Sequence, residues 1–388
     1  MPDQRQIAIA LELNQKYPWH QGVYAGVARY AEEHRDWTCI IDECPQIGLA
    51  DGAPRARRYD GIIARVGAPL ARFASRHRIP LVNTWYSSPV GGLSGVYPDC
   101  YAMGELCADH LLERGFRQLG IAGVFDALSR REVLRGFTDR AEREPEVTVS
   151  VLEYSGFAYG NLAAERRMRR SQNRWLDRLQ PPLAIKCESA YHTRQLQHLC
   201  QLRGWNIPED VAFVCDENDP VTCDSPTPSI SAVDCNWERI GYEAARLLSE
   251  MFGGESRNPT VRLLPPAGIV TRQSTDFYAV TDPLVQQAVQ YLSTHLRESV
   301  TLPRVAKAVQ TSPRTLQRRF EAALGRGVSQ ELRRLRIACA KRLLMQRGRS
   351  IKDVAFLAGF TSSKRLGEVF QRELGCAPSD YQERQSIG

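Results

Sequence analysis

The apolar pattern of the chain changes character at Asp282-Pro283. Before that point short apolar runs alternate with longer amphipathic stretches. After it every stretch has a helical period, and one short unit occurs twice. A chain written this way cannot close around a single core, because a strand-and-helix layer and a helix-only layer bury their apolar faces differently.

The first part reads as strands at Ile7–Leu13, Thr38–Ile41, Gly61–Val66, Pro80–Thr84, Leu119–Gly123, Val147–Glu153, Leu183–Cys187 and Val211–Cys215. Helical stretches lie between them at Gly22–His34, Ala68–Arg78, Met103–Arg114, Arg131–Arg143, Asn161–Leu179, Thr193–Gly204 and Glu238–Phe252. Short apolar strands separated by helices predict parallel sheets with crossover helices. About eight to ten such units over about 270 residues suit two doubly wound subdomains better than one sheet. In open α/β sheets ligands bind beyond the carboxyl ends of the strands, which nominates the residues following each strand.

The second part predicts helices at Pro283–Arg297, Leu302–Val309 and Pro313–Ala323, a long one at Ser329–Arg347, then Ile351–Ala358 and Ser362–Glu373. Ser312 suits a helix N-cap, Pro313 the first helical position and Gly325 the C-terminal stop. Gly359-Phe360-Thr361 is the corresponding turn of the second unit, and Gly375 closes it. A short helix, a tight turn and a capped helix with a polar face form a helix-turn-helix unit. One such unit is a weak signal. Two of them about 50 residues apart, joined by an arginine-rich helix, are far more specific. Arg314, Gln317 and Arg318 lie on the outer face of the first candidate recognition helix, and Ser363, Lys364, Arg365 and Glu368 on that of the second. Arginine pairs with guanine edges and glutamine with adenine edges in the major groove.

Charge agrees with this division. The net charge is +7, but residues 283–388 hold 19 Lys and Arg against 8 Asp and Glu, so the preceding residues are net negative. A basic end on a near-neutral body suits a nucleic-acid partner. The 11 cysteines include no C-x-x-C pair and the 7 histidines no H-E-x-x-H motif. The expectation is reduced cysteines, no metal and no cofactor. No apolar run has the length of a membrane span or a leader sequence, so the expected setting is the cytoplasm, without a membrane partner.

With Ala306, Leu316, Phe320, Arg336, Ala340, Leu343, Ile351, Val354, Phe370, Pro378 and Tyr381 in their places, residues 284–384 resemble the DNA-binding domain of the AraC family. The resemblance implies that the two recognition helices enter successive major grooves on one face of a duplex. The family often has a basic residue where Glu368 stands, and Gly367 is unusual inside a helix. The body resembles the ligand domain of LacI-type repressors, which is itself similar to periplasmic sugar-binding proteins. That likeness rests on Pro98-Asp99 through Gly123, on Ile207–Val211, and on Glu217-Asn218-Asp219 with Gly241–Ala245 beyond. Together the two resemble the XylR-like regulators, in which a body of this kind binds a pentose and the tail binds DNA. The resemblance implies a fold of residues 1–275 in two periplasmic-binding-protein type subdomains, a linker at 276–283 and an all-α domain at 284–388. It also implies a double-stranded DNA operator, a sugar effector such as D-xylose, RNA polymerase and a second copy of the chain as partners.

Sugar sites use carboxylates and amides for paired hydroxyls, arginine for forked donation and an aromatic face for the C–H surface of the ring. Strand-end loops here offer Trp19, His20, Gln21, Arg65, Asp99, Arg131, Glu188, Glu217 and Asn218. The relatives usually show Tyr-x-Arg at positions 19–21, Asn-Asp at Cys187-Glu188, Asp at Glu217 and Arg at Val133. The effector therefore stays open at this point. Two other classes compete: a cytoplasmic sugar-binding protein without a regulatory role, and an enzyme. The first is disfavoured by the paired units. The second finds no G-x-x-x-x-G-K-[ST] loop and no G-x-G-x-x-G after a strand.

Overall fold

Central strands of a parallel sheet are buried on both faces, and the first strand shows why this chain makes such sheets: Ile7, Ala8 and Ile9 in succession are fully buried. The computed structural model of the chain describes residues 4–15, 18–50, 59–154, 161–225, 228–254, 258–276, 282–344 and 349–386. A first lobe is laid down as β1 (Arg5–Ala10), α1 (Pro18–His34), β2 (Trp37–Ile41), α2 (Pro45–Ala50), β3 (Gly61–Ala64), α3 (Ala68–His77), β4 (Leu81–Asn83) and β5 (Gly95–Pro98). A second follows as α4 (Cys100–Leu112), β6 (Gln118–Gly123), α5 (Leu128–Glu142), β7 (Thr148–Glu153), α6 (Leu162–Leu176), β8 (Leu183–Cys187), α7 (Ala190–Gln201), β9 (Val211–Cys215), α8 (Pro220–Cys223) and β10 (Ser231–Asp234). The chain then returns to the first lobe as α9 (Trp237–Phe252) and β11 (Val261–Leu264), and to the second as β12 (Gly268–Val270).

The two sheets have the orders β11-β5-β4-β3-β1-β2 and β12-β10-β9-β8-β6-β7. All described pairings are parallel except β10 with β12. Both are doubly wound, as the alternation predicts. In the first lobe α1 and α9 cover one face and α3 the other. In the second, α4 and α5 lie on one face and α6 and α7 on the other. The chain crosses between lobes after Pro98, after Asp234 and between β11 and β12. Trp237, at the second crossing, packs against cores of both lobes. Strands β5 and β10 and helices α2 and α8 are not among the elements expected from the sequence; they are short, and β5 has no alternation to give it away, whereas β11 and β12 fall in the strand-like stretch that begins at Val261.

The tail is all helix. It comprises α10 (Pro283–Thr294), α11 (Leu302–Ala308), α12 (Pro313–Leu324), α13 (Val328–Leu344), α14 (Ile351–Leu357), α15 (Ser363–Leu374) and α16 (Pro378–Ser386). It has two small cores. α13 contributes Val328, Leu332 and Leu335 to the first, and Ile337, Ala340 and Leu344 to the second. One helix thus joins the two units by burying each half of its length in a different one.

Helices α4 and α5 approach each other unusually closely. A Cβ on Gly104 would stand 2.2 Å from the carbonyl oxygen of Val133, and one on Gly136 would stand 2.1 Å from that of Tyr101. Ion pairs from Arg140 to Asp109 at 2.6 Å and from Arg143 to Glu105 at 3.0 Å lock the same pair from outside. Backbone atoms cannot yield as side-chain tips can. Gly104→Ala is expected to destabilise the body by about 1–3 kcal/mol, the usual scale of overpacking, read as a lower midpoint in urea unfolding.

Candidate ligand cleft and nucleic-acid interface

The loops at the carboxyl ends of the two sheets meet. Ser87, past β4, and Ser129, in the first turn of α5, share a hydroxyl–hydroxyl hydrogen bond of 3.0 Å, and the Ser129 N–H also donates to Ser87 Oγ. The nominated residues lie on either side of this meeting.

On the first wall Glu12, just past β1, is held in the left-handed region at φ 56°. A non-glycine residue there is strained, and such strain persists only where its surroundings impose it. The Glu43 carboxylate imposes it by accepting the N–H groups of Glu12 at 2.6 Å and Leu13 at 2.7 Å. The Glu12 carboxylate pairs with Arg65 at 2.9 Å, and the Arg65 guanidinium lies 4.0 Å over the Trp85 ring. His20 Nδ1 stands 3.2 Å from the Glu12 carbonyl. Burial pushes the His20 imidazole below its usual range, and the Arg65 charge adds to this against the Glu12 carbonyl. Trp19, His20 and Gln21 are not loop residues, as expected from sequence, but the first turn of α1. Pro18 starts that helix four residues ahead of the predicted boundary at Gly22.

On the second wall the strand ends of β6, β8 and β9 gather charge. Glu188 Oε2 accepts the Val124 N–H at 2.7 Å, and Oε1 lies 2.9 Å from His192 Nδ1. Arg130, not the nominated Arg131, approaches Glu188, at 3.7 Å; Arg131 is exposed one position further along the same turn. Lys186, 1% exposed, meets Asp216 at 2.5 Å. Burial opposes the Lys186 ammonium, but the Asp216 carboxylate outweighs it and holds the lysine charged. The second oxygen of Asp216, Oδ1, is buried with no hydrogen-bond partner among the described residues. A buried acceptor of this kind calls for a donor such as a ligand hydroxyl or a water. Glu217 is pushed up to about 7, by burial first, then by Asp216 and Glu188, against the Ala190 N–H.

Two nominated residues have structural partners. Asp99 caps α4 by accepting the Ala102 N–H at 3.0 Å. Asn218 accepts from Arg272 at 2.8 Å, and Arg272 is also paired with Asp224. Residues the sequence reading did not nominate are Glu12, Glu43, Trp85, Arg130, Lys186 and Asp216. The strand-end rule reaches Asp216, which directly follows β9; Glu12 falls inside the expected strand Ile7–Leu13, whereas β1 ends at Ala10, and Lys186 lies inside a strand, where no pattern marks it.

In the tail the two units repeat in detail. Ser312 Oγ accepts the Thr315 N–H and Ser362 Oγ the Arg365 N–H, both at 3.1 Å. Gly325 and Gly375 end the two helices at φ 66° and 69°. Gln310 at φ 54° and Gly359 at φ 83° supply the left-handed residue between each helix pair. Gly359 is also required sterically, because a Cβ there would lie 1.8 Å from the Leu296 carbonyl oxygen. Arg314 and Arg318 are exposed on α12, while Gln317 is partly buried and donates to Glu321 at 2.5 Å. On α15, Lys364, Arg365 and Glu368 are exposed and Ser363 partly so. Glu368 pairs with Arg365 at 2.8 Å, which gives the unexpected acid an internal partner on the candidate reading face.

Residues 108–275 match the periplasmic binding protein-like domain, and residues 305–384 match a helix-turn-helix domain. The chain is 26% identical to the xylose operon regulatory protein of Haemophilus influenzae over 96% of this chain and 97% of that one. It is 25% identical to that of Escherichia coli K12 over 97% of this chain and 96% of that one. A solved structure of the xylose-binding transcription activator XylR shares the fold with a TM-score of 0.60, at 22% identity and over 98% of each chain. The chain is therefore a transcription regulator of the class that joins a periplasmic-binding-protein-like ligand domain to a helix-turn-helix DNA-binding domain. Within that class its full-length likeness is to the xylose operon regulatory proteins.

The raised Glu217 carboxyl gives a pH test. Its folded value lies above that of an unfolded glutamate, so its favourable contribution is complete below about 4.5 and is lost as pH rises through about 7. Glu217→Gln is expected to remove this dependence. Unfolding titrations between pH 5 and 8 should show the unaltered protein losing about 2–3 kcal/mol more than the variant.

Proposed function

We propose that the chain is a sequence-specific, DNA-binding transcription regulator whose binding is governed by a pentose, with xylose the first candidate, held between the two lobes of residues 1–275. The observation that carries this reading is the pairing of a strand-end cleft rich in carboxylates and arginines with two helix-turn-helix units alike in cap, turn and stop. Glu12, Arg65, Trp85, Glu188, Arg130 and Asp216 have the chemistry that hydroxyl recognition needs, together with the nominated His20 and Glu217. Trp19, Gln21 and Arg131 stay candidates from the sequence, while Asp99 caps α4 and Asn218 accepts from Arg272. The names of the full-length relatives support xylose.

The tail, residues 284–388, reads the duplex through Arg314, Gln317 and Arg318 in one major groove and Ser363, Lys364, Arg365 and Glu368 in the next. A bound sugar acts by preferring one arrangement of the lobes over another, because a ligand shifts a two-state equilibrium only by its difference in affinity for the states. The chain works in the cytoplasm as a homodimer on an operator and presents itself there to RNA polymerase. No described helix is long and apolar enough to cross a membrane.

Two measurements test this. Thermal unfolding against a panel of pentoses should show xylose raising the melting temperature, by about 2.7 kcal/mol of stabilisation at a hundredfold excess over its Kd. Silence across the panel would remove the sugar from the reading. On a duplex selected from a random library, Arg318→Ala should weaken specific binding by about 1–3 kcal/mol and relax the preference at one base position. An equal loss on all sequences would make Arg318 a phosphate contact.

A further inference from the structure

The DNA-binding domain is not simply strung on behind the body. Helix α4 ends at Glu113, which caps its carboxyl terminus. There the body meets the tail. Arg334 of α13 donates to the Glu113 carboxylate at 3.1 Å, and Arg326 donates to the Glu113 carbonyl oxygen at 3.3 Å. Both arginines are held from behind by Glu331, which is fully buried in the tail; Arg326 reaches it at 2.5 Å and Arg334 at 2.8 Å. Burial opposes the Glu331 charge, but the two guanidiniums outweigh it and keep the carboxyl below its usual range. A helix carboxyl terminus favours cations, so the pair of arginines suits both the charge and the dipole at this end of α4.

The same turn of α4 anchors the root of the linker. His110 Nε2 meets Thr275 Oγ1 at 2.8 Å, and Arg114 donates to the Thr275 carbonyl at 2.6 Å and to His110 Nδ1 at 3.0 Å. With Nδ1 accepting from arginine, Nε2 carries the imidazole hydrogen and donates it to Thr275. Burial, then Arg114 and Arg334, keep His110 well below its usual range, hence neutral.

The opposite end of α4 begins at Asp99, beside the crossing between the lobes. Its partner α5 begins with the turn that carries Ser129, Arg130 and Arg131 at the cleft. The two helices touch backbone to backbone at Gly104 and Gly136, so they move as one body. Thirteen residues of α4 span about 20 Å at the helical rise.

We infer that Glu113 is a positioning residue for the DNA-binding domain: it holds Arg326 and Arg334 at the far end of the α4–α5 pair, so that a shift of this pair at the cleft re-aims the two recognition helices. This rests on the functional reading above for its purpose, though not for its geometry. A cleft movement needs no separate relay, because the pair that lines the cleft is also the seat of the tail.

The test uses the full chain and the variants Glu113→Gln and Glu113→Lys, with xylose and the library-selected duplex as probes. Hydrogen exchange at the amides of residues 328–334 should quicken by at least about threefold in both variants. The xylose-induced rise in melting temperature should stay unchanged. The xylose-induced change in duplex affinity should shrink by at least about threefold, most in Glu113→Lys. Exchange and sugar response both equal to those of the unaltered protein would overturn the inference, as would faster exchange with an intact sugar response. If the unaltered protein itself ignores xylose, the functional reading fails, and the exchange rates still decide whether Glu113 seats the tail.

Discussion

Parallel sheets covered on both faces leave no room for polar side chains along most of each strand. The chain obeys this constraint in both lobes, and its consequence is the site. Charged and hydrogen-bonding groups are driven to the strand ends, where loops converge at the boundary between lobes. Lys186 is a charge buried within a strand; it lies in β8 and is tolerated because Asp216, at the end of the neighbouring strand, supplies the opposite charge at 2.5 Å. Such a pair is costly to desolvate, and removing either member alone would leave an uncompensated buried charge.

The tail solves a different problem. Each helix-turn-helix unit is too small to bury much apolar surface by itself. Helix α13 gives half its apolar positions to each unit, so neither core is complete without it. That sharing also fixes the separation of the two candidate recognition helices, since a continuous helix is the stiffest spacer the chain can make. Identical serine caps and glycine stops then give the two helices the same start and finish.

Much of this was legible in the sequence. The periodic segments Ile7–Leu13, Leu183–Cys187 and Val211–Cys215 announce strands because their apolar runs are short and bounded. Ser312-Pro313 and Gly325 mark a helix by chemistry rather than by pattern. The cleft was less legible. Asp216 follows its strand as the rule demands, while Glu12 lies inside the apolar run Ile7–Leu13 that reads as one; what distinguishes them is an unpartnered buried oxygen in the first case and a left-handed backbone in the second, and neither has a signature in residue type. Arg130 and Arg131 differ by one position, which on a helix turns a side chain by about 100°; only the true start of α5 decides which of them faces Glu188. Trp19, His20 and Gln21 were misplaced for the same reason, since Pro18 opens α1 earlier than the apolar period suggests.

Thr275 is fixed to α4, and Asp282 is fixed to the first unit of the tail, where it caps α10 and pairs with Arg319. The stretch of chain between these two anchors can extend over at most about 25 Å. A head on so short a leash stays near its seat after letting go. Re-seating would then be a local event at high effective concentration, and a seated and an unseated domain would differ in the direction they point rather than in whether they are captive.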